Sequence, residues 1–252
     1  TRLVSELAPT LGVPCTIKET FSVKGLSHTA GSLRRKDIKA TSDATTVTRM
    51  KEAGFVPLGV TNVPEMAFWI ETDNLVFGRT NNPWDLSRTV GGSSGGEGAV
   101  VGVGASPIGL GSDVGGSIRL PAFFCGVFGH KPTGGLVPST GHVPSPSPSL
   151  SRFTCTGPLA RSARDLLPVL RVLHGPDDAL GVDVDRGGTS DVPDLDDRDC
   201  AGVVVHVVDE NGNRAPSEAL RTALWKAARV LEQRGARVEH ARIPELKKSF
   251  DI

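Results

Sequence analysis

Residues 91–133 read GGSSGGEGAVVGVGASPIGLGSDVGGSIRLPAFFCGVFGHKPT, a stretch rich in glycine with five serines before its first arginine. The glycine run at 91–96 suits a backbone that takes positive φ values or approaches another group closely. The second island, 111–117, would turn several peptide N–H groups toward one point, and such amides form an anion-binding concavity. A hydroxyl beside such a concavity is typical of a nucleophilic serine with its oxyanion hole.

Composition limits the classes of protein and partner that are compatible with this sequence. The 252 residues are enough for one large domain or two small ones. Lys+Arg and Asp+Glu each number 28, and the basic residues are scattered, so nothing favours a nucleic-acid partner. No apolar run nears the length of a membrane span. We expect no metal and no cofactor, and buried free thiols at the four widely spaced cysteines: Cys15, Cys125, Cys155 and Cys200.

Apolar runs alternate with amphipathic stretches, which favours an α/β fold. Residues 12–19 and 55–61 predict parallel strands, joined by a helix at 41–54 that Ser42 or Asp43 would cap. The strand predicted at 107–110 delivers 112 and 113 to its carboxyl end, the edge where ligands bind in open α/β sheets. Further predicted elements are strands at 201–208 and 237–243, and helices at 64–69, 98–104, 160–174 and 217–234.

The segments between these elements predict loops. Residues 71–90, the Pro- and Ser-rich 136–151 and the acidic 175–200 carry loop signals. The apolar cluster 66–69 is predicted to be core rather than pocket wall.

An activated serine needs a base, and the residues alone leave its identity open. No histidine lies in a distinctive setting among His28, His130, His142, His174, His206 and His240. A lysine serves only when neutral, so burial must lower its pKa from about 10.4. Lys18 ends an apolar strand that would carry it inward. The alternative, an exposed lysine at a strand end, is the one that the residues alone favour.

Three motifs in order carry a resemblance. Residues 91–99, 109–120 and 129–133, with 12–19 upstream, resemble the amidase signature family. Glu97 and the motif at 155–160 resemble its fatty acid amide hydrolases, in their second type. The resemblance implies a mixed, largely parallel sheet with helices on both faces. We expect 1–252 to be a single domain truncated at both ends, whose signature core is 11–175.

The resemblance implies a Ser–cis-Ser–Lys triad made of Ser117, Ser93 and Lys18. Ser117 would attack the amide carbonyl, and Ser93 would relay the proton to neutral Lys18 and later to the leaving amine. The peptide bond that precedes Ser93 would be cis.

The backbone around Ser117 would stabilise the tetrahedral oxyanion. The amides expected to do so belong to Val114, Gly115, Gly116 and Ser117.

Three polar residues are expected to support the site. Asp113 and Arg119 would pair to hold the nucleophile loop, the alternative being two independent surface residues. Ser94 would hydrogen-bond to Ser93.

The implied function is hydrolysis of carboxylic amides, in particular fatty acid amides, through an acyl-enzyme intermediate. The expected partner is a lipid-like small-molecule amide. We also expect an intracellular protein, with membrane association through segments outside this stretch, and leave a homodimer open.

Three alternatives compete with this function. Residues 91–95 satisfy the G-x-S-x-G pattern of an α/β-hydrolase esterase with a Ser-His-Asp triad, but a polar loop rather than an apolar strand precedes them. A catalytically inactive fragment or paralogue would keep the same residues. A nucleotide-binding loop is disfavoured because no GxxxxGK[ST] is present.

Overall fold

The computed structural model describes residues 10–147, 150–176, 199–213 and 215–250. The chain divides into two units, Thr1–Asp191 and Val192–Ile252. The single domain predicted over 1–252 stays a prediction.

A five-stranded sheet lies at the centre of the first unit. Its order is β2-β1-β3-β5-β4, in which β1 pairs in parallel with β2 and β3 while β5 is antiparallel to both its neighbours. Four strands therefore share one direction, and the predicted mixed, largely parallel sheet is confirmed. The strands are β1 (Pro14–Lys18), β2 (Val56–Thr61), β3 (Ile108–Asp113), β4 (Phe128–Gly129) and β5 (Cys155–Ala160).

Helices cover both faces of this sheet. Alternate residues of a strand point to opposite faces, and Ile108 and Leu110 join the main apolar core with α1 and α4. Gly109, between them, faces α2, which in turn contacts α3. The helices are α1 (Thr45–Glu52), α2 (Gly95–Gly102), α3 (Arg119–Cys125) and α4 (Leu166–Leu173), with 3-10 turns at Leu33–Arg35, Glu65–Ala67 and Ala163–Asp165.

Glycines in β3 let α2 approach the sheet closely. A Cβ on Gly109 would collide with the Glu97 carboxylate of α2, and one on Gly111 would lie 2.8 Å from Leu159 Cδ1 and 3.0 Å from Ser94 Oγ. Close packing leaves no room for such atoms. The missing side chains thus bring the residues at the N-terminus of α2 to the carboxyl end of β1 and β3.

The second unit is a strand–helix–strand unit. Strands β6 (Val204–Val207) and β7 (Arg237–His240) pair in parallel, and α5 (Glu218–Gln233) contacts both. The Ser217 hydroxyl caps α5 by accepting a hydrogen bond from the Leu220 amide at 3.4 Å. The three predicted elements are confirmed with shorter ends, and a 3-10 helix follows at Pro244–Phe250.

Several local predictions are wrong. The N-cap of α1 is Ala44, because the Asp43 carboxylate instead accepts hydrogen bonds from the Lys24 amide and Lys51 Nζ. The helix predicted from residue 160 begins later, because β5 ends at Ala160. Strand β5 itself was not predicted, nor was the two-residue β4.

Other predictions hold or lie outside the described residues. Cys15, Cys125 and Cys155 are free and buried, and Cys200 is half-buried. Most of the predicted loop 175–200 lies outside the described residues. Among the described residues, no helix has the length and apolar character that a membrane crossing requires.

Replacing Gly109 tests the close packing of α2. Because its Cβ would collide with the Glu97 carboxylate, Gly109→Ala should lower the free energy of unfolding by about 1–3 kcal/mol in urea titrations. Gly59→Ala is the matched control, since Gly59 lies in β2 and no atom lies within 4 Å of the position that its Cβ would take. This control should change stability by less than about 0.5 kcal/mol. Equal effects of the two substitutions would contradict the packing explanation.

Candidate active site

Lys18, the last residue of β1, places its amine inside the protein. Its side chain is fully buried, and Nζ lies 2.7 Å from Ser93 Oγ, 3.0 Å from Ser112 Oγ and 3.4 Å from the Ser112 carbonyl oxygen. Burial lowers the pKa of Lys18 to about 7, although the charges of Asp113 and Glu97 act to raise it. The exposed-lysine alternative is therefore wrong, and near neutral pH much of this amine is free to accept a proton.

Ser93 directly precedes Ser94, the N-cap of α2, and follows a cis peptide bond, Gly92–Ser93. The cis bond is the one that the sequence resemblance implied. The Ser93 hydroxyl is buried against Lys18 and borders the cavity described below. Ser93 thus joins the buried amine to the accessible space, as does Ser112.

Ser117 lies in the turn before α3 and lines the same cavity. Its carbonyl oxygen accepts a hydrogen bond from the Ser94 amide at 3.0 Å, which ties this turn to the start of α2. Within the described part of the chain, the Ser117 hydroxyl has no hydrogen-bond partner. The Lys18–Ser93 link of the predicted relay is therefore made, and the Ser93–Ser117 link is open in this structure.

Asp113 fixes the turn that carries Ser117. Its buried carboxylate accepts hydrogen bonds from the amides of Gly116 (2.8 Å) and Ile118 (2.9 Å) and from Arg119 Nη2 (2.9 Å) and Nε (3.1 Å). Burial acts to raise the pKa of Asp113, but the bonds from Arg119 and these amides outweigh it and hold the pKa below its usual value. The predicted ion pair is present, and the carboxylate side of it is not on the surface.

The backbone at 114–117 only partly matches the predicted oxyanion hole. The Gly116 amide is engaged by Asp113, and Gly116 does not line the cavity, so this amide has to be removed from the predicted set. Val114, Gly115 and Ser117 do line it, and their amides donate to no acceptor among the described residues. Three amides thus remain for an anion at this position.

Ser94 has a different partner from the one expected. Its hydroxyl donates to the Ser112 carbonyl oxygen at 3.3 Å, and no hydrogen bond to Ser93 is present in the described part of the chain. Ser94 therefore links α2 to β3 rather than holding the Ser93 side chain.

Glu97 is a buried carboxylate that the sequence marked only as a subgroup feature. Its two oxygens accept hydrogen bonds from Thr16 Oγ1 at 2.6 Å and Thr61 Oγ1 at 2.7 Å. Burial raises the pKa of Glu97 to about 7, against the opposing effect of the two threonines and Lys18. Glu97 ties α2 to both β1 and β2.

His142 is the histidine that reaches the site, and nothing in its sequence setting indicated this. Its ring is buried on the loop between β4 and β5, with Nε2 2.9 Å from Ser112 Oγ and Nδ1 2.9 Å from the Pro144 carbonyl oxygen. Burial, and next the charge of Lys18, lower the pKa of His142 to about 3. The imidazole is therefore neutral at any pH near physiological.

A cavity of about 500 Å³ opens onto these groups. The prediction that 66–69 is core is wrong: these residues border the cavity, and Phe68 and Trp69 are 74% and 63% exposed. The described part of the loop 136–151 also lines it. The apolar lining includes Met66, Phe68, Trp69, Ile70, Leu120, Pro144, Pro146 and Leu150. In the ranges that the structure describes, no group of three or more His, Cys, Asp or Glu side chains is placed to hold a metal ion.

Comparison with known proteins identifies the family. The family model described as Amidase matches residues 2–252. The chain belongs to the amidase family. It is 40% identical over 99% of its length to fatty-acid amide hydrolase 2-A of Danio rerio, and 51% identical over 67% to fatty-acid amide hydrolase 2 of Homo sapiens. The crystal structure of a glutamyl-tRNA(Gln) amidotransferase subunit from Thermotoga maritima superposes on 96% of the chain with a TM-score of 0.82 and 36% identity.

Membership of the amidase family confirms the resemblance seen in the three motifs and excludes the α/β-hydrolase alternative. The backbone agrees, since a loop rather than a strand precedes Ser93. The chain spans 46% and 32% of the two fatty-acid amide hydrolases and 52% of the amidotransferase subunit.

The pH dependence of stability tests the burial of Lys18. The unfolded chain keeps this proton up to about pH 10.5, whereas the folded chain keeps it only to about pH 7. Between these values the unfolded state binds more protons, so the free energy of unfolding gains a contribution that rises with pH. Lys18→Met should remove this rise in urea titrations from pH 7 to 10, whereas the exposed Lys36→Met control should keep it. A Lys18→Met profile parallel to wild type would contradict the assignment.

Proposed function

We propose that this chain carries the catalytic site of an amide hydrolase with a Ser117–Ser93–Lys18 triad. The observation that carries the proposal is the fully buried Lys18 amine, 2.7 Å from Ser93 Oγ, beside a cavity that Ser93 and Ser117 both line. A buried amine with a lowered pKa is the base that a Ser–Lys mechanism requires.

The first step forms the acyl-enzyme. Ser117 Oγ bonds to the amide carbon as its proton passes to Ser93 and the Ser93 proton passes to neutral Lys18. The amides of Val114, Gly115 and Ser117 stabilise the oxyanion. The C–N bond then breaks, and the proton held by Lys18 returns through Ser93 to the leaving amine.

The second step regenerates the enzyme. Water gives a proton to Lys18 through Ser93 as its oxygen bonds to the acyl carbon. The bond to Ser117 Oγ breaks, and this oxygen recovers a proton by the same route. Lys18 ends neutral after each half-reaction.

We further propose a fatty acid amide as substrate. The apolar lining of the cavity suits an acyl chain, and two of the similar proteins are named fatty-acid amide hydrolases. Another similar protein belongs to a glutamyl-tRNA(Gln) amidotransferase, which makes glutamine the competing amide to test. Membrane association, self-association and an intracellular location stay predictions.

Labelling with a fluorophosphonate tests the nucleophile. The probe should modify wild type at Ser117 by peptide mapping, and Ser117→Ala should lose both labelling and amide hydrolysis while its thermal unfolding is unchanged. Lys18→Ala and Ser93→Ala should each slow hydrolysis at least about 100-fold, because the proton path is cut. Ser87→Ala, at an exposed serine, should react as wild type. A folded wild-type chain that neither labels nor hydrolyses amides would support the inactive alternative.

A panel of amides tests the substrate class. The value of kcat/KM should increase with acyl chain length, and glutamine should be a poor substrate. Trp69→Ala should lower kcat/KM for long acyl amides roughly tenfold, the effect of losing about 60 Å² of apolar contact, and leave acetamide unchanged. Leu75→Ala, at an exposed position outside the cavity, is the control. Faster turnover of glutamine than of long-chain amides would reject the lipid substrate.

A further inference from the structure

The tautomer of His142 is fixed by its neighbours. A carbonyl oxygen only accepts hydrogen bonds, so Nδ1, 2.9 Å from the Pro144 carbonyl, carries the ring proton. The ring is neutral, because burial depresses its pKa far below neutrality. Its Nε2 therefore presents a lone pair to Ser112 Oγ, 2.9 Å away.

This tautomer determines what Ser112 offers to Lys18. The Ser112 hydroxyl donates its only proton to His142 Nε2, so its oxygen acts toward Lys18 as an acceptor, at 3.0 Å. The Ser112 carbonyl oxygen is a second acceptor, at 3.4 Å. Two N–H bonds of Lys18 thus point at Ser112, and the remaining position on the nitrogen faces Ser93 at 2.7 Å.

We propose that His142 is a positioning residue that confines proton exchange on Lys18 to the side facing Ser93, an inference that rests on the proposed function. Without the His142 acceptor, the Ser112 hydroxyl is free to rotate and donate to the Lys18 lone pair. It then competes with Ser93 for the site that the relay needs.

The loop around His142 is built to hold the ring in place. The Val143 amide donates to the Thr20 carbonyl at 2.8 Å, and the Ser22 amide donates to the Gly141 carbonyl at 2.9 Å. The Phe21 ring packs edge-to-face on the imidazole at 4.8 Å between centroids. All of these contacts are with the segment directly after β1. The same part of the chain therefore positions both His142 and Lys18.

Kinetics of His142 variants test the positioning role. His142→Leu removes the acceptor and should lower kcat about 10- to 100-fold, the range typical of outer partners that orient a functional group, with KM within about twofold of wild type. His142→Gln places an acceptor oxygen near the position of Nε2 and should recover kcat to within about fivefold of wild type. His130→Leu, at an exposed histidine outside the cavity, should change neither constant. Equal losses of kcat in the Leu and Gln variants would overturn the proposal.

A double-mutant cycle with Ser112→Ala separates positioning from packing. Because His142 acts through the Ser112 hydroxyl, adding His142→Leu to Ser112→Ala should lower kcat by less than about twofold. A loss in the double variant equal to the product of the two single losses would show that His142 acts by another route.

Nitrogen-15 NMR of wild-type His142 tests the tautomer without substrate and without any variant that has to fold. Nδ1 should be protonated and Nε2 bare between pH 6 and 8. A proton on Nε2 would overturn the proposal. Absence of amide hydrolysis by wild type, with the Nδ1–H tautomer found, would overturn the proposed function, and the claimed effect of His142 on kcat would fall with it.

Discussion

The burial of one lysine amine at the end of β1 is the constraint on which the site depends. A charged ammonium loses its hydration when buried, so the folded protein favours the neutral amine unless opposite charge compensates. The carboxylates of Asp113 and Glu97 act in that direction, but neither contacts Nζ, which instead touches Ser93 and Ser112. The amine forms its hydrogen bonds with hydroxyl and carbonyl groups rather than with a carboxylate. It therefore stays able to exchange a proton.

Strand β3 packs against the apolar core on one face and against α2 on the other, and its last two residues, Ser112 and Asp113, belong to the site. Ile108 and Leu110 supply apolar volume toward α1 and α4, whereas Gly109 and Gly111 supply none toward α2. Helix α2 therefore lies close to the sheet, and Ser93, just before its first turn, meets the Lys18 amine. The alternation of side chains along β3 thus provides apolar volume on one face and room for the close approach of α2 on the other.

The residues predicted an α/β fold and the strand–helix–strand units. The family motifs implied the mixed, largely parallel sheet and the triad of Lys18, Ser93 and Ser117, of which the Lys18–Ser93 contact is present. The residues alone favoured an exposed Lys18, because strand periodicity does not tell how deeply the end of a strand is buried. The contact of His142 with Ser112 joins positions 30 apart through an irregular loop, and no local pattern encodes it. Strand β5 was not predicted because it contains Gly157 and Pro158, and both residue types are uncommon within strands.

The main-chain hydrogen bonds that join Thr20 and Ser22 to the loop of His142 link the hydration of Lys18 to its protonation. Local opening of that loop would admit water to Lys18, and its affinity for protons would return toward that of an ordinary lysine. Proton uptake and loop opening therefore favour each other. Acidification and opening of this loop would therefore have the same effect on the site, which is protonation of the base.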